Sequence, residues 1–258
     1  MTTLADGNAT GSFWDHLDEL RGCIIRMLAV TGVAAAVAFC MKDSLFAVVL
    51  APRSSDFVTF RIMGTEYFCV SLMNTGLTEQ FTVHLRVALY AGVLAASPYL
   101  LYVLFRFVSP ALYSSERRYA VAIVGSGYVM FVLGTLLNYF LIFPLTVRFL
   151  GTYQVSPDVS NMLTLSSYTD TLVMMSIMMG IVFEMPVVSC LLARMGLING
   201  SLMRRYRRHA IVAILVAAAV VTPTADAFTM LLVAAPVWLL YEVSAVLAVR
   251  IREAKGHE

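Results

Sequence analysis

Charge is what this sequence has least of. Only 13% of its 258 residues are Asp, Glu, Lys or Arg, about half the share of an ordinary soluble domain. Hydrophobic residues make up 60% of the chain and its mean hydropathy is +0.81. A water-soluble fold of this size would leave large apolar patches facing solvent and would aggregate. The composition therefore excludes a soluble enzyme and, despite a pI of about 8.4, a nucleic-acid binder. The chain belongs in a bilayer.

The other scarcities narrow the chemistry. The four cysteines, Cys23, Cys40, Cys69 and Cys190, are far apart and have neither metal-site spacing nor the density of a disulfide scaffold. They read as small apolar filler. The four histidines, His16, His84, His209 and His257, show no ligand spacing on one helix. No nucleophile elbow, no Ser/His pair in an apolar run and no phosphate-cradling loop is present. No enzymatic activity, metal or cofactor is expected. Residues 1–12 contain no Lys or Arg, so the basic n-region of a cleaved leader is missing and the first apolar run is expected to be retained.

What is present is a series of apolar runs. About 20 residues of helix cross the ~30 Å hydrocarbon core at 1.5 Å each. Inside lipid these runs have to be helical, because no water is there to satisfy open backbone groups. The expected fold is an all-α integral membrane protein, a single polytopic domain over 1–258. Six transmembrane helices are expected, at about 24–41, 87–105, 119–143, 172–193, 210–221 and 228–249. The fifth run is only about 18 Å long. It leads through a tight turn at Thr222-Pro223-Thr224-Ala225-Asp226 into a helix interrupted by Pro236. Short fifth and sixth spans imply a thinned or sheltered patch of bilayer beside them. The segment from Lys42 to Glu79 is a long mixed loop in which Ser44 to Leu50 can form a short amphipathic piece. The small residues Gly125-Ser126-Gly127 suggest close helix packing.

Orientation follows from the basic residues. With the N-terminus inside, the inner segments hold Arg21, Arg26, Arg106, Arg117, Arg118, Arg194, Arg204, Arg205, Arg207, Arg208, Arg250, Arg252 and Lys255. The outer side holds Lys42, Arg53, Arg61, Arg86 and Arg148. Thirteen against five is a positive-inside bias, which predicts both termini in the cytoplasm.

Ionisable residues inside an apolar run are expensive and therefore candidates for function. Glu184, in Phe183-Glu184-Met185-Pro186, is the clearest. It is either a carboxyl with a task or one hydrogen-bonded to a neighbouring helix near the backbone that Pro186 frees. The methionines around it, Met174, Met175, Met178, Met179 and Met185, serve either as filler or as an adaptable surface for partner helices. Arg26 and Arg86 are expected to reach headgroups by extending their stems. Glu242 is expected to pair with Arg250 or with an arginine of a neighbouring loop. Glu19 lies on an amphipathic helix approaching the membrane, and Glu116 in the first inner loop. Taken alone, each reads as part of a solvated face.

Several segments, in order, resemble the TatC family, the multi-spanning subunits of the twin-arginine protein translocase. They are His16-Leu17-Asp18-Glu19-Leu20-Arg21, Ala51-Pro52, Thr78-Glu79-Gln80-Phe81 with Arg86, and Phe107 to Arg118. Further along come Phe143-Pro144-Leu145, Phe183-Glu184-Met185-Pro186, and Thr222-Pro223 through Asp226 to Pro236 and Tyr241-Glu242. The resemblance covers nearly the whole chain. It implies a receptor in the bacterial cytoplasmic membrane, or an archaeal or organellar equivalent. Such a receptor binds twin-arginine signal peptides of folded cargo at its cytoplasmic face. It recruits single-span partners of the TatA and TatB type in a hetero-oligomer, and the proton-motive force drives export. It implies signal-peptide contacts at Glu19, Arg21, Phe107 and Glu116, a partner-helix site at Glu184 and Pro186, and outer-face roles for Pro52, Glu79 and Asp226. Arginine's planar fork matches a carboxylate bidentately, which lysine does not reproduce. Two features depart from the family: Gly22-Cys23 stand where further basic residues are frequent, and the loop before Thr78 is longer. The alternative reading is a secondary transporter or proton-coupled carrier using Glu184. It lacks an inverted repeat and a second deep acid for a relay.

Overall fold

The computed structural model describes residues 7–64, 67–108, 117–154, 156, 161–194, 196, 198, 200–222 and 226–255. The described backbone is almost entirely helical: α1 Gly7–Cys40, α2 Lys42–Leu50, α3 Val58–Met63, α4 Glu79–Val108, α5 Arg117–Leu137, α6 Phe143–Thr152, α7 Leu165–Phe183, α8 Met185–Arg194, α9 Gly200–Arg205, α10 Arg207–Val221 and α11 Ala227–Lys255. A π turn, Asn138–Ile142, joins α5 to α6 without a break. Two short parallel strands, β1 Leu72–Met73 and β2 Leu163–Thr164, are the sheet among the described residues.

Five stretches are long and apolar enough to cross a membrane: Leu17–Cys40, Glu79–Arg106, Val124–Thr152, Leu165–Ala193 and Ala227–Arg250. They correspond to five of the six expected runs, and each is longer; the first begins seven residues before Ile24. The second begins eight residues before Val87, the third continues nine past Phe143, and the fourth starts seven before Leu172. Polar residues such as Glu79, Arg86 and Asp170 look like helix ends in the sequence. In the fold they are partnered within it, so the helix continues. The remaining run lies on α10, whose 15 residues make about 22 Å of helix. The last helix, in contrast, is not short: α11 runs for 29 residues straight through Pro236.

The chain divides into two compact units, Met1–Met41 with Ala88–Gly125, and Lys42–Val87 with Ser126–Glu258. In the first, α1 meets α4 at a glycine. A Cβ on Gly92 would lie 2.6 Å from the Ala35 backbone nitrogen, so only glycine permits this approach. Pro98, inside α4, has no N–H and leaves the carbonyl of Leu94 without its helical donor. The adjacent Ser97 hydroxyl donates to that carbonyl at 2.7 Å.

The second unit has two apolar clusters. One gathers Ile142, Met175, Met179 and Phe183 with Ile214, Ala218 and Val221 of α10 and Val233, Ala234, Val237 and Leu240 of α11. The other joins Val49 and Val70 of the loop region to Val83, Val87, Phe143, Val147, Tyr168 and Leu172. Between helices in lipid, van der Waals fit replaces the hydrophobic effect, because acyl chains are as apolar as leucine. α5 and α7 achieve that fit by exchanging glycines. A Cβ on Gly134 would stand 2.5 Å from the Met179 carbonyl oxygen, and one on Gly180 would stand 2.6 Å from the Phe131 ring. Beside them the Asn138 amide donates to the Ser176 hydroxyl at 2.8 Å. At Gly125 no described atom lies within 4 Å of where a Cβ would stand. The close contact falls one helical stretch later, where a large side chain on the partner faces each glycine.

The loop region is held by the same accounting. Pro52 starts a buried 3-10 turn, Ala51–Arg53, and its missing N–H frees the carbonyl of Val48. The Tyr139 hydroxyl donates to that oxygen at 2.7 Å, and Tyr168 donates to Val49 at 3.0 Å. Pro144 likewise leaves the Phe140 carbonyl open, and the Thr59 hydroxyl of α3 donates to it. Glu79, the first residue of α4, accepts from the Thr75 and Gly76 backbone N–H groups at 2.7 and 3.0 Å and from the Thr75 hydroxyl at 3.1 Å. Its other oxygen accepts the Ser166 N–H in the first turn of α7 at 2.9 Å. One carboxylate thus closes the turn before α4 and caps a second helix, where Thr164 also caps Ser167.

Two outcomes test this packing. Gly134→Ala is expected to destabilise the protein by about 1–3 kcal/mol, the usual cost of overpacking, while Gly125→Ala is neutral. Thermal unfolding in detergent compares the pair, and equal midpoints would contradict the α5–α7 contact. Glu79→Ala is expected to lower the midpoint by several degrees and to raise protease sensitivity around residues 72–78. Glu79→Gln, which keeps one accepting oxygen for the Thr75–Gly76 turn, loses less.

Candidate functional site

The residues expected to hold a peptide start on α1. Its long first helix carries Glu19 and Arg21 on exposed turns. They are two positions apart, about 200° around the axis, so they point to different sides of α1. Arg26, seven residues after Glu19 and on its side, donates to the Gly22 carbonyl at 3.1 Å. That bond lies along its own helix, with the side chain still exposed. Phe107 lies in the last turn of α4, of which the backbone is described. Glu116 lies outside the described residues.

Glu184 sits where two helices of one span meet. Pro186 is the second residue of α8; it cannot donate to the Val182 carbonyl, and its ring crowds that position. The helix breaks there, with Glu184 as the residue between α7 and α8. The Glu184 N–H bonds to Ile181 at 3.1 Å and its carbonyl accepts from Val188 at 2.9 Å. Pro186 is buried. Both side-chain oxygens of Glu184 are shielded from solvent and have no hydrogen-bond partner among the described residues. The structural alternative, a bond to a neighbouring helix, is therefore not made among the described residues. Of the surrounding methionines, Met175 and Met179 are fully buried in the α7–α10–α11 cluster, whereas Met174 faces outward. Filler and surface are both present in the one group.

The three other positions are structural in geometry. Pro52 and Glu79 have the roles described above. Asp226 caps α11, its carboxylate accepting the Thr229 N–H at 2.7 Å.

Two pairs escaped the sequence reading in whole or part. Arg86 does not extend alone toward headgroups. It donates to both oxygens of Asp170 on α7, at 2.8 and 2.7 Å, with each side chain about half exposed. Asp170 was overlooked because it precedes the apolar run; the Thr164 cap six residues earlier is the signal that the helix already includes it. Glu242 pairs with Arg207, the loop arginine rather than Arg250. Next to it the Tyr241 hydroxyl donates to the Met203 carbonyl at 2.6 Å, tying α11 to α9. Among the described residues no group of three His, Cys, Asp or Glu side chains is gathered to hold a metal. The described polar groups suit recognition of cations and of other polar groups.

Comparison with known proteins agrees on one family. The family model described as Sec-independent protein translocase protein (TatC) matches residues 15–236. The chain is 34% identical to the Sec-independent protein translocase protein TatC of Desulforapulum autotrophicum, over 90% of this chain and 82% of that one. It is 33% identical to the protein of the same name from Deinococcus radiodurans, over 93% and 86%. A crystal structure of a twin-arginine translocase receptor, TatC, superposes with a TM-score of 0.75 at 30% identity, covering 90% of this chain and 97% of that one. With its almost entirely helical described backbone, the chain is thus a multi-pass membrane protein that belongs to the TatC family of Sec-independent protein translocases.

Proposed function

We propose that this protein is the receptor subunit of a twin-arginine translocation system. It binds the twin-arginine signal peptides of folded proteins at the cytoplasmic face and recruits single-span partners of the TatA or TatB type for export driven by the proton-motive force. The observation that carries this reading is the 0.75 TM-score to a twin-arginine translocase receptor across 90% of the chain. In this reading the chain is a single polytopic unit of the cytoplasmic membrane. α10 is its sixth, short span, and the basic segments hold both termini inside. It acts by binding, without catalysis. The transporter alternative is not favoured by the family.

The peptide site comprises Glu19 and Glu116 as acceptors, with Phe107 beside them and Arg21 flanking the site from the other side of α1. A guanidinium fork satisfies both oxygens of a carboxylate, so two acids select a paired-arginine motif over paired lysines. Glu184 and Pro186 form the partner site. A shielded carboxyl without a hydrogen-bond partner gains most from a polar side chain brought in by another helix, since leaving it bare is costly.

Each site has its own test. Photo-crosslinking from positions beside Glu116 to a twin-arginine peptide is expected to fall about tenfold in Glu116→Gln, and further in the double variant with Glu19→Gln. A Lys-Lys peptide should crosslink weakly to the unaltered protein. Undiminished crosslinking in the double variant would refute the site. Glu184→Ala is expected to reduce co-purification of the single-span partner while peptide crosslinking is retained. Unchanged partner recovery would assign the carboxyl elsewhere.

A further inference from the structure

α3 is six residues long, and its two sides differ in an unusual way. Its inner side is pinned to the π turn between α5 and α6. Phe57, just before the helix, stacks on Phe140 with ring centroids 5.7 Å apart and meets Tyr139 edge-on at 5.4 Å. Thr59 donates to the Phe140 carbonyl, and Phe60 is buried against Phe68, 4.7 Å between centroids. The outer side is apolar as well. Val58 and Met63 are about half exposed, and Ile62 and the nearby Tyr67 are each 82% exposed. The helix ends at Gly64, whose φ of +60° turns the chain back. Arg61 lies on the exposed side.

Depth decides what meets this surface. From Arg118 to Phe140 the helix rises about 33 Å, close to the ~30 Å thickness of the hydrocarbon core. Phe140 therefore stands at the boundary of the bilayer opposite the Arg117–Arg118 end. Along α5 and the π turn, Val129, Leu133, Leu136, Phe140 and Leu141 are exposed at helical spacing. That row lies exposed on a candidate span and runs to Phe140, on which Phe57 docks. The outward side of α3 continues it.

We infer that α3 and the adjoining Tyr67 form an interfacial anchor seated in the lipid leaflet remote from Arg117 and Arg118, with Val58, Ile62, Met63 and Tyr67 among the upper acyl chains and Arg61 at lipid phosphate. Tyrosine and an extended arginine are suited to that zone, one by its apolar ring and polar tip and the other by its long stem. Four side chains fall far short of the roughly 20–30 residues that a stable protein interface uses on each side. Lipid covers them without that requirement. The anchor holds the segment containing Pro52 and the Glu79 turn at a fixed height on the span.

The inference rests on α5 being a span, and the experiment separates the two. Ile62→Cys, Asp56→Cys and Leu133→Cys, with Cys23, Cys40, Cys69 and Cys190 replaced by serine, are spin-labelled. They are reconstituted as the full chain in vesicles of phosphatidylethanolamine and phosphatidylglycerol. The ratio of oxygen to nickel-chelate accessibility is expected to be several-fold higher at position 62 than at exposed Asp56, and highest at Leu133. A water-like ratio at position 62 equal to that at Asp56 overturns the anchor. So does dipolar broadening at position 62, which would place a second copy there. A water-like ratio at Leu133 overturns the span itself, and the anchor with it.

Discussion

Every backbone carbonyl in hydrocarbon needs a donor from the protein, because water cannot supply one and an open group costs several kcal/mol. Proline tests this constraint by removing one helical donor each time it occurs inside a helix. Here the carbonyl four residues earlier is taken up by a hydroxyl from elsewhere in three cases. Ser97 serves Pro98, Tyr139 serves Pro52 and Thr59 serves Pro144. The first is local. The other two join segments separated by 91 and 81 residues. A need created by local sequence is thus met by tertiary structure, and the loop between α1 and α4 becomes attached to α5 and α6 as a consequence.

The same constraint explains why the helices meet as they do. Lipid gives no hydrophobic drive for one helix to leave acyl chains for another, so contact has to be won by close fit and by polar pairing. Gly134 and Gly180 supply the fit between α5 and α7, and the Asn138–Ser176 bond supplies the pairing at the next turn. Where the chain leaves the apolar zone, burial takes over. Val49, Val70 and Val83 cluster with Phe143 and Tyr168 beneath the loop, while Glu79 ties the ends of α4 and α7. The π turn at Asn138–Ile142 lies where both regimes meet. It carries the buried amide, the two tyrosine and phenylalanine rings that hold α3, and the carbonyl that Thr59 occupies.

Apolar runs were legible in the sequence because their length is set by bilayer thickness, and five of six correspond to helices long enough to span. Their ends were not. Glu79, Arg86 and Asp170 each look like the edge of a membrane segment, yet each is compensated by a group distant in sequence. Arg86 and Asp170 are 84 residues apart, and Glu79 and Ser166 are 87 apart. Composition contains no record of such pairs. The same holds for glycine: Gly125-Ser126-Gly127 has the look of a packing motif, but closeness depends on a large partner opposite, which Met179 and Phe183 provide only at Gly134. Of the candidate site, Pro186 and Glu184 were legible as a break and an out-of-place acid. Glu116 and its surroundings depend on spatial relations that local sequence does not encode.

Carboxylates provide the sharpest contrast in the molecule. Glu79 accepts four hydrogen bonds, Asp170 holds Arg86, Asp226 caps α11 and Glu242 meets Arg207. Each of these four acids is thereby matched by a cation or by backbone amides. Glu184 alone among these five keeps both oxygens shielded and without a hydrogen-bond partner among the described residues. It does so at the break between α7 and α8, two residues before Pro186. A fold that satisfies carbonyls across 91 residues of sequence does not leave an acid bare for want of donors. Under the function proposed above, that donor would come from a partner helix, and Met174 and Ile181 are the residues of α7 exposed to receive one.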